Sequence, residues 1–206
     1  MFLSPINERQ TGLANTSAIT QPGEPGAELS QLKELLRIGD DDQDAYLSQL
    51  LLAATEYAVQ FLNRSLRTQQ WKRTFDAPRI PGLAREHFEQ RGLFLPYGPV
   101  KSIQKFVSIS QDGTEEDVTN FYINNSDNEF RIYLKEAVSG RGFAYILVEY
   151  TAGYGSIAEI PALIQQGILQ HAAYLFEHRG DCGADEAAKL SGAKGLYGMY
   201  RVGTVQ

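Results

Sequence analysis

The sequence is poor in the residues that carry most protein chemistry. It has one cysteine, three histidines and one tryptophan among 206 residues. A single cysteine, Cys182, excludes an internal disulfide and suits a reducing compartment. No apolar run approaches the ~20 residues that a bilayer-spanning helix needs, so no membrane partner is expected. The opening MFLSPINERQ has neither a basic stretch nor an apolar core behind it, which predicts no secretory signal. The Asn-x-Ser triplets at Asn15, Asn63 and Asn124 are then chance matches. Basic runs are also missing, and the densest local cluster is Trp71-Lys72-Arg73. With a net charge of −6 and a pI near 5.1, the chain is not built to grip nucleic acid by its backbone, which takes clustered Lys and Arg.

Motifs of catalysis are missing as well. There is no GxSxG and no GxxxxGK[ST]. The stretch YTAGYGSIAEIP places Gly153 and Gly155 between a strand-like and a helix-like run, where phosphate loops occur. It lacks the third glycine and the lysine, and Glu159 would repel an anion, so it reads as a corner. His171 and His178 lie two helical turns apart, ~10 Å, too far to share a zinc ion. One exposed and one half-buried histidine are expected there, and His87 in REHFEQR is a solvated loop residue. Cys182 stands beside Asp181, which disfavours the thiolate. The acids Asp40, Asp41, Asp42 and Asp44, and Glu115-Glu116-Asp117, sit at a helix start and a turn without calcium-loop spacing. The expectation is therefore no catalytic set, no cofactor, no metal and no enzyme.

What is present suits a globular protein: 43% hydrophobic and 21% charged residues, with eleven tyrosines and ten phenylalanines. Residues 1–28 are rich in Ser, Thr, Asn, Gln, Pro and Gly and read as a flexible N-terminal arm. The folded domain is placed at 29–180. LSQLKELLRI predicts a short helix with Ser30 as N-cap, ended by Gly39. A long helix follows, with Leu47, Leu50, Leu51, Ala54, Ala58, Phe61 and Leu62 at spacings of three and four. From Thr68 to Ala152 the period changes to strands: TQQWKRTFDA, two short strands bent at Pro96 and Pro99, a hairpin at QDGTEED, VTNFYINNSD, NEFRIYLKEA and FAYILVEYTAG. APRIPGLAREHFEQRG, residues 77–92, is an irregular loop. Pro161 suits the first position of a last long helix with a stripe of Ile164, Ile168, Ala172, Leu175 and Phe176, closed by Arg179-Gly180. Residues 181–206 read as a flexible C-terminal tail carrying Leu190, Leu196, Tyr197, Met199 and Tyr200. The class is α+β: a small bundle, two helices N-terminal and one long helix C-terminal, with an inserted antiparallel β-sheet.

Five spaced pieces together resemble the head–tail connector (adaptor, head-completion) proteins of tailed bacteriophages and gene transfer agents. They are Leu32 to Ile38 in the first helix, the acidic cap with Leu51 to Phe61, Asn63-Arg64-Ser65-Leu66-Arg67-Thr68-Gln69-Gln70-Trp71, the LPYGPV bend from Leu95 to Ile103, and Val148 to Arg179. The tail GLYGMYRVG is similar to the family's ending. The resemblance spans residues 30–179 and leaves the arm uncovered. It implies a structural virion protein with no enzymatic activity. Such a protein forms a ring, usually a dodecamer, docked under the portal at the head–tail neck after assembly in the host cytoplasm. Its other partner is a stopper or tail-completion protein, and DNA passes through the lumen without specific binding. Leu196, Tyr197, Met199, Tyr200 and Arg201 are then the candidate portal anchor. The alternative is a packaging accessory factor that binds DNA directly.

Overall fold

The computed structural model describes residues 14–20, 23–76, 92–126, 129–135 and 143–202. Most of the expected loop at 77–92, with His87, lies outside these residues, as do residues 1–13, 127–128 and 203–206.

A helical bundle forms one half. Helix α1 spans Leu29–Leu36 and α2 spans Asp44–Leu62. Helix α3 spans Ala162–Glu177, followed by two short helices, α4 (Ala184–Leu190) and α5 (Ala193–Gly198). The i, i+3, i+4 stripe of α2 closes as expected: Leu47, Leu51, Ala54, Ala58 and Leu62 are fully buried. They meet Ile164, Ile168 and Ala172 of α3 in one core. Helix α1 starts one residue before the expected cap Ser30, with Glu28 at the cap position. Docking sets that start: Gly26 donates its N–H to Thr55 Oγ1 at 2.9 Å and Ala27 is fully buried. The helix ends at Arg37, in the left-handed conformation (φ 57°), before Gly39 is reached. Lys33 of α1 bonds Asp41 at 2.6 Å and Asp44 at 2.7 Å, so the acidic run ties α1 to the start of α2.

The strands form two antiparallel sheets where the sequence suggested one. The first has the order β1-β2-β8-β4-β5, built from Ala14–Ala18, Gln69–Asp76, Phe143–Ala152, Val100–Ser110 and Glu115–Asp117. The second has the order β3-β7-β6, from Leu93–Phe94, Glu129–Leu134 and Phe121–Ser126. They share a core of Trp71, Phe75, Phe106, Phe130, Ile132, Ile146, Val148 and Tyr150. Along β8, Ile146, Val148, Tyr150 and Ala152 are fully buried at the period of two that a strand with one core-facing side requires. The Asn125 side chain accepts from Val100 N (3.2 Å) and donates to Val100 O (3.0 Å), stitching β6 to β4 where the backbones do not pair.

Part of the sequence read as arm is structured. β1 pairs with β2 from Ala14↔Phe75 to Ala18↔Trp71, and Arg73 donates to Thr16 Oγ1 at 2.5 Å. Part of the sequence read as tail is structured too, since α4 and α5 pack on α3. Short helices of this kind are held by tertiary packing rather than by their own propensity.

Gly153 has φ +125°, and a Cβ there would lie 2.2 Å from the Arg67 carbonyl oxygen. Gly113 also has positive φ (+87°), with open space around it. Urea unfolding should therefore show Gly153→Ala losing about 2–5 kcal/mol, from backbone strain plus a clash. Gly113→Ala should lose about 1–2 kcal/mol, from strain alone.

Candidate assembly surface

Three of the recognised sequence pieces meet at one joint between the bundle and the sheets. Ser65 donates its N–H to Tyr97 O at 3.0 Å, and Tyr97 donates to Asn63 O at 3.2 Å. Tyr154 donates to Leu66 O at 3.2 Å and Gly153 to Pro99 O at 2.9 Å. Single bridges link Arg64 with Tyr97 and Arg67 with Gly155. Thus the RSL segment, the LPYGPV bend and the YTAGYG corner are consecutive walls of one connection. Side chains complete it. Trp71 donates its indole N–H to Ser65 Oγ at 2.8 Å and stacks on Tyr97 with centroids 3.9 Å apart. Tyr150 donates its hydroxyl to Pro96 O at 2.7 Å. Arg64, nearly fully buried, lies over the Phe130 ring and donates Nε to Tyr200 O at 2.7 Å.

The corner at Gly153 and Gly155 carries its own anion. Glu159 closes a 3-10 turn (Ile157–Glu159) by accepting from Ser156 N at 2.6 Å and Ser156 Oγ at 3.0 Å. The backbone N–H of Ser156, then its hydroxyl, then nearby Lys101 hold the Glu159 carboxyl below its ordinary range. A carboxylate of the chain itself therefore takes the place a phosphate would need.

The candidate anchor residues divide into two groups. Tyr197 is fully buried, its ring against Gly167 of α3 and within 6.3 Å of Tyr57 and 6.2 Å of Phe61. Leu196 and Tyr200 are half-buried, Arg201 is exposed with its guanidinium over Phe61, and Met199 is 72% exposed. Leu190, at the end of α4, is 57% exposed. The chain beyond α5 is bound down: Val202 donates to Leu62 O at 3.0 Å and is buried in the sheet core. Tyr197 is thus a peg in its own domain, and Met199 and Arg201 are the members of the set that face solvent.

Helices α4 and α5 form a hairpin whose rim is polar. Asp185 accepts from the Tyr57 hydroxyl at 2.6 Å and from Lys194 Nζ at 2.8 Å. These bonds hold the Asp185 carboxyl below its usual range, Lys194 contributing most. Sequence reasoning passed over this rim and also Gly167. The signal for the latter was there: an isolated glycine within a long helix marks close packing.

His171 departs from expectation. It is fully buried, where exposure or half-burial was anticipated, because Tyr57 of α2 packs edge-on against it and the Ala184 backbone at the start of α4 lies beside it. His178 is half-buried and stacks on Tyr174 at 4.0 Å. Cys182 is a free, half-buried thiol. Among the described residues no group of three or more His, Cys, Asp or Glu is placed to hold a metal ion, and no helix is long and apolar enough to cross a membrane.

Residues 27–91 match the family model described as phage gp6-like head–tail connector protein. Solved structures extend the likeness to the whole fold. A chain of the virion of a native gene transfer agent particle is 22% identical with a TM-score of 0.70, over 93% of this chain and 97% of that one. A chain from the neck of an empty particle of this kind, computed with C6 symmetry, gives 21% and 0.71 with the same coverage. One from the neck of the native particle, computed with C12 symmetry, gives 21% and 0.69. No curated protein matches the sequence. The match to the connector family model thus covers residues 27–91, and the likeness of fold to chains of these particles covers nearly the whole chain.

A Cβ on Gly167 would lie 2.5 Å from the Tyr197 ring. Gly167→Ala should destabilise the protein by about 1–3 kcal/mol through overpacking, and Tyr197→Ala by about 3–5 kcal/mol. In the Tyr197→Ala background the sign should reverse: Gly167→Ala then has room and gains about 1 kcal/mol of helix propensity. Urea unfolding of the four chains checks this cycle.

Proposed function

We propose that this chain is a structural, non-enzymatic ring adaptor of a head–tail neck, docked between the portal and the stopper or tail and extending the DNA channel. The observation that carries the reading is the coincidence of the connector family model over residues 27–91 with a neck-component fold over 93% of the chain. The C6 and C12 symmetries of those necks support a closed ring, with twelve copies as the proposed number. Closure by rotation needs heterologous contacts, one face of a copy meeting a different face of the next.

Charge supports the same reading. Each copy carries −6, so a ring of copies presents a strongly negative assembly. Binding to duplex backbone depends on cations that neutralise phosphates, and an acidic lumen offers few. DNA passes through such a ring without being held. The neck of the virion is the corresponding location, with assembly in the host cytoplasm.

The portal-facing residues in this reading are Met199 and Arg201, flanked by Leu196 and Tyr200. Tyr197 acts indirectly, by fixing the hairpin that carries them. An exposed methionine beside an arginine suits a protein partner, because both residue types are enriched at interface cores.

Electron microscopy of the full chain mixed with its portal should show a ring capping the portal. Met199→Asp should weaken the complex about tenfold or more without unfolding the domain. No ring on the portal would overturn the adaptor reading. Duplex binding that falls steeply with salt would favour the packaging-factor alternative instead.

A further inference from the structure

We propose that seating of the α4–α5 hairpin on the bundle is linked to a proton at His171, so that the hairpin loosens when the imidazole becomes charged. The grounds are geometric. His171 is fully buried, and neither ring nitrogen finds a hydrogen-bond partner among the described residues. The Tyr197 hydroxyl, equally buried, also finds none. Tyr57 joins the two, edge-on to His171 at 5.0 Å and 6.3 Å from the Tyr197 ring. Three buried polar atoms without a protein partner among the described residues thus lie where the hairpin meets α2 and α3. Native interiors seldom leave such groups unpartnered, and a seat built this way is held less firmly than an apolar one of the same shape.

A charge at His171 would have no counter-ion. From α2 it faces Tyr57, behind which lies Tyr197 of α5; burial pushes both phenols up, so both stay neutral. From α4, Asp185 is engaged by Tyr57 and Lys194. On α1, Lys33 is engaged by Asp41 and Asp44. Arg201 lies over Phe61 at the rim. Glu186, Asp181 and Cys182 act on Tyr174 rather than on His171. Burial is the leading influence on the imidazole and holds its pKa below the ordinary value. The Ala184 backbone at the start of α4 opposes this more weakly and lies outside hydrogen-bond geometry.

The sign follows. About one unit or more above pH 6.5, His171 is neutral whether the hairpin is seated or lifted, and the proton plays little part. Below that value the lifted state takes up a proton that the seated state refuses, so falling pH favours lifting. The limit for one proton is about tenfold per pH unit. Asp185 does not interfere, because its carboxyl titrates below its already acidic ordinary value.

The test is amide hydrogen exchange of the full chain at pH 7.5, 6.5 and 5.5, each corrected for intrinsic rates, with α2 as internal reference. Protection of residues 184–202 relative to α2 should fall by no more than about twofold between pH 7.5 and 6.5, then by up to about fivefold more by pH 5.5. His171→Leu should abolish that fall. Tyr197→Phe keeps the imidazole and removes the unpartnered hydroxyl; it should raise hairpin protection at every pH while retaining the fall. Relative protection that is constant across the series overturns the proposal, as does a fall that persists unchanged in His171→Leu. No partner is present in the experiment, so its outcome is separate from that of the adaptor reading.

Discussion

The structure depends on the joint between Arg64 and Trp71. This stretch leaves α2 and becomes β2, so every contact between bundle and sheet is referred to it. Leu66 is buried in the helical core and Trp71 in the sheet core, five residues along the same chain. The backbone that enters this stretch is held by Tyr97, at Asn63 and Ser65, and by Tyr154, at Leu66. Arg64 is the demanding member. A buried guanidinium is costly unless its donors are satisfied, and here one goes to the Tyr200 carbonyl while the plane rests over Phe130. The C-terminal segment is thereby fixed by the joint itself, and Val202 adds a backbone bond to Leu62 at the end of α2.

This explains why the recognised pieces lie so far apart in sequence yet belong together. RSL…W, LPYGPV and YTAGYG are separated by strands and loops, but each supplies one wall of the same connection. Gly153 is confined by the Arg67 carbonyl, and Tyr150 by the Pro96 carbonyl. Corners built by mutual backbone contact constrain residue type more tightly than exposed strand faces do. They therefore stand out in a single sequence without any catalytic motif.

The same logic separates what was legible from what was not. The stripes of α2 and α3 and the alternation of β8 were readable because each element is long enough to repeat its period. β1 was not: ANTSA offers no apolar residue larger than alanine, and it is held by pairing with β2 and by Arg73. α4 and α5 were not, because seven- and six-residue helices with Gly192, Gly195 and Gly198 around them carry no sustained period. They exist through Tyr197 and its fit against Gly167, a contact across thirty residues that no local pattern records. His171 was misjudged for the same reason, since its cover comes from Tyr57 of α2 and the start of α4. For the candidate surface, Leu196, Tyr197, Met199, Tyr200 and Arg201 were chosen as apolar, aromatic and basic residues on a glycine-rich stretch. The division into one internal peg and an exposed pair required the fold.

Joint and hairpin are built on opposite principles. At the joint, the donors of Trp71, Tyr150 and Ser65 all have acceptors, so the polar groups there rigidify the connection. Beneath the hairpin, His171 and Tyr197 bury polar atoms without partners among the described residues. A purely apolar seat of the same volume would hold α4 and α5 more firmly, so the polar atoms cost stability at that place. On the adaptor reading this unevenness has a use. The bundle–sheet geometry must stay constant for copies to close a ring, because a small angular error is repeated at every interface. On the same reading the segment carrying Met199 and Arg201 meets a different partner. Its far end is tied to the rigid joint through Tyr200 and Val202, and the unpartnered polar groups lie beneath the two short helices that lead to it.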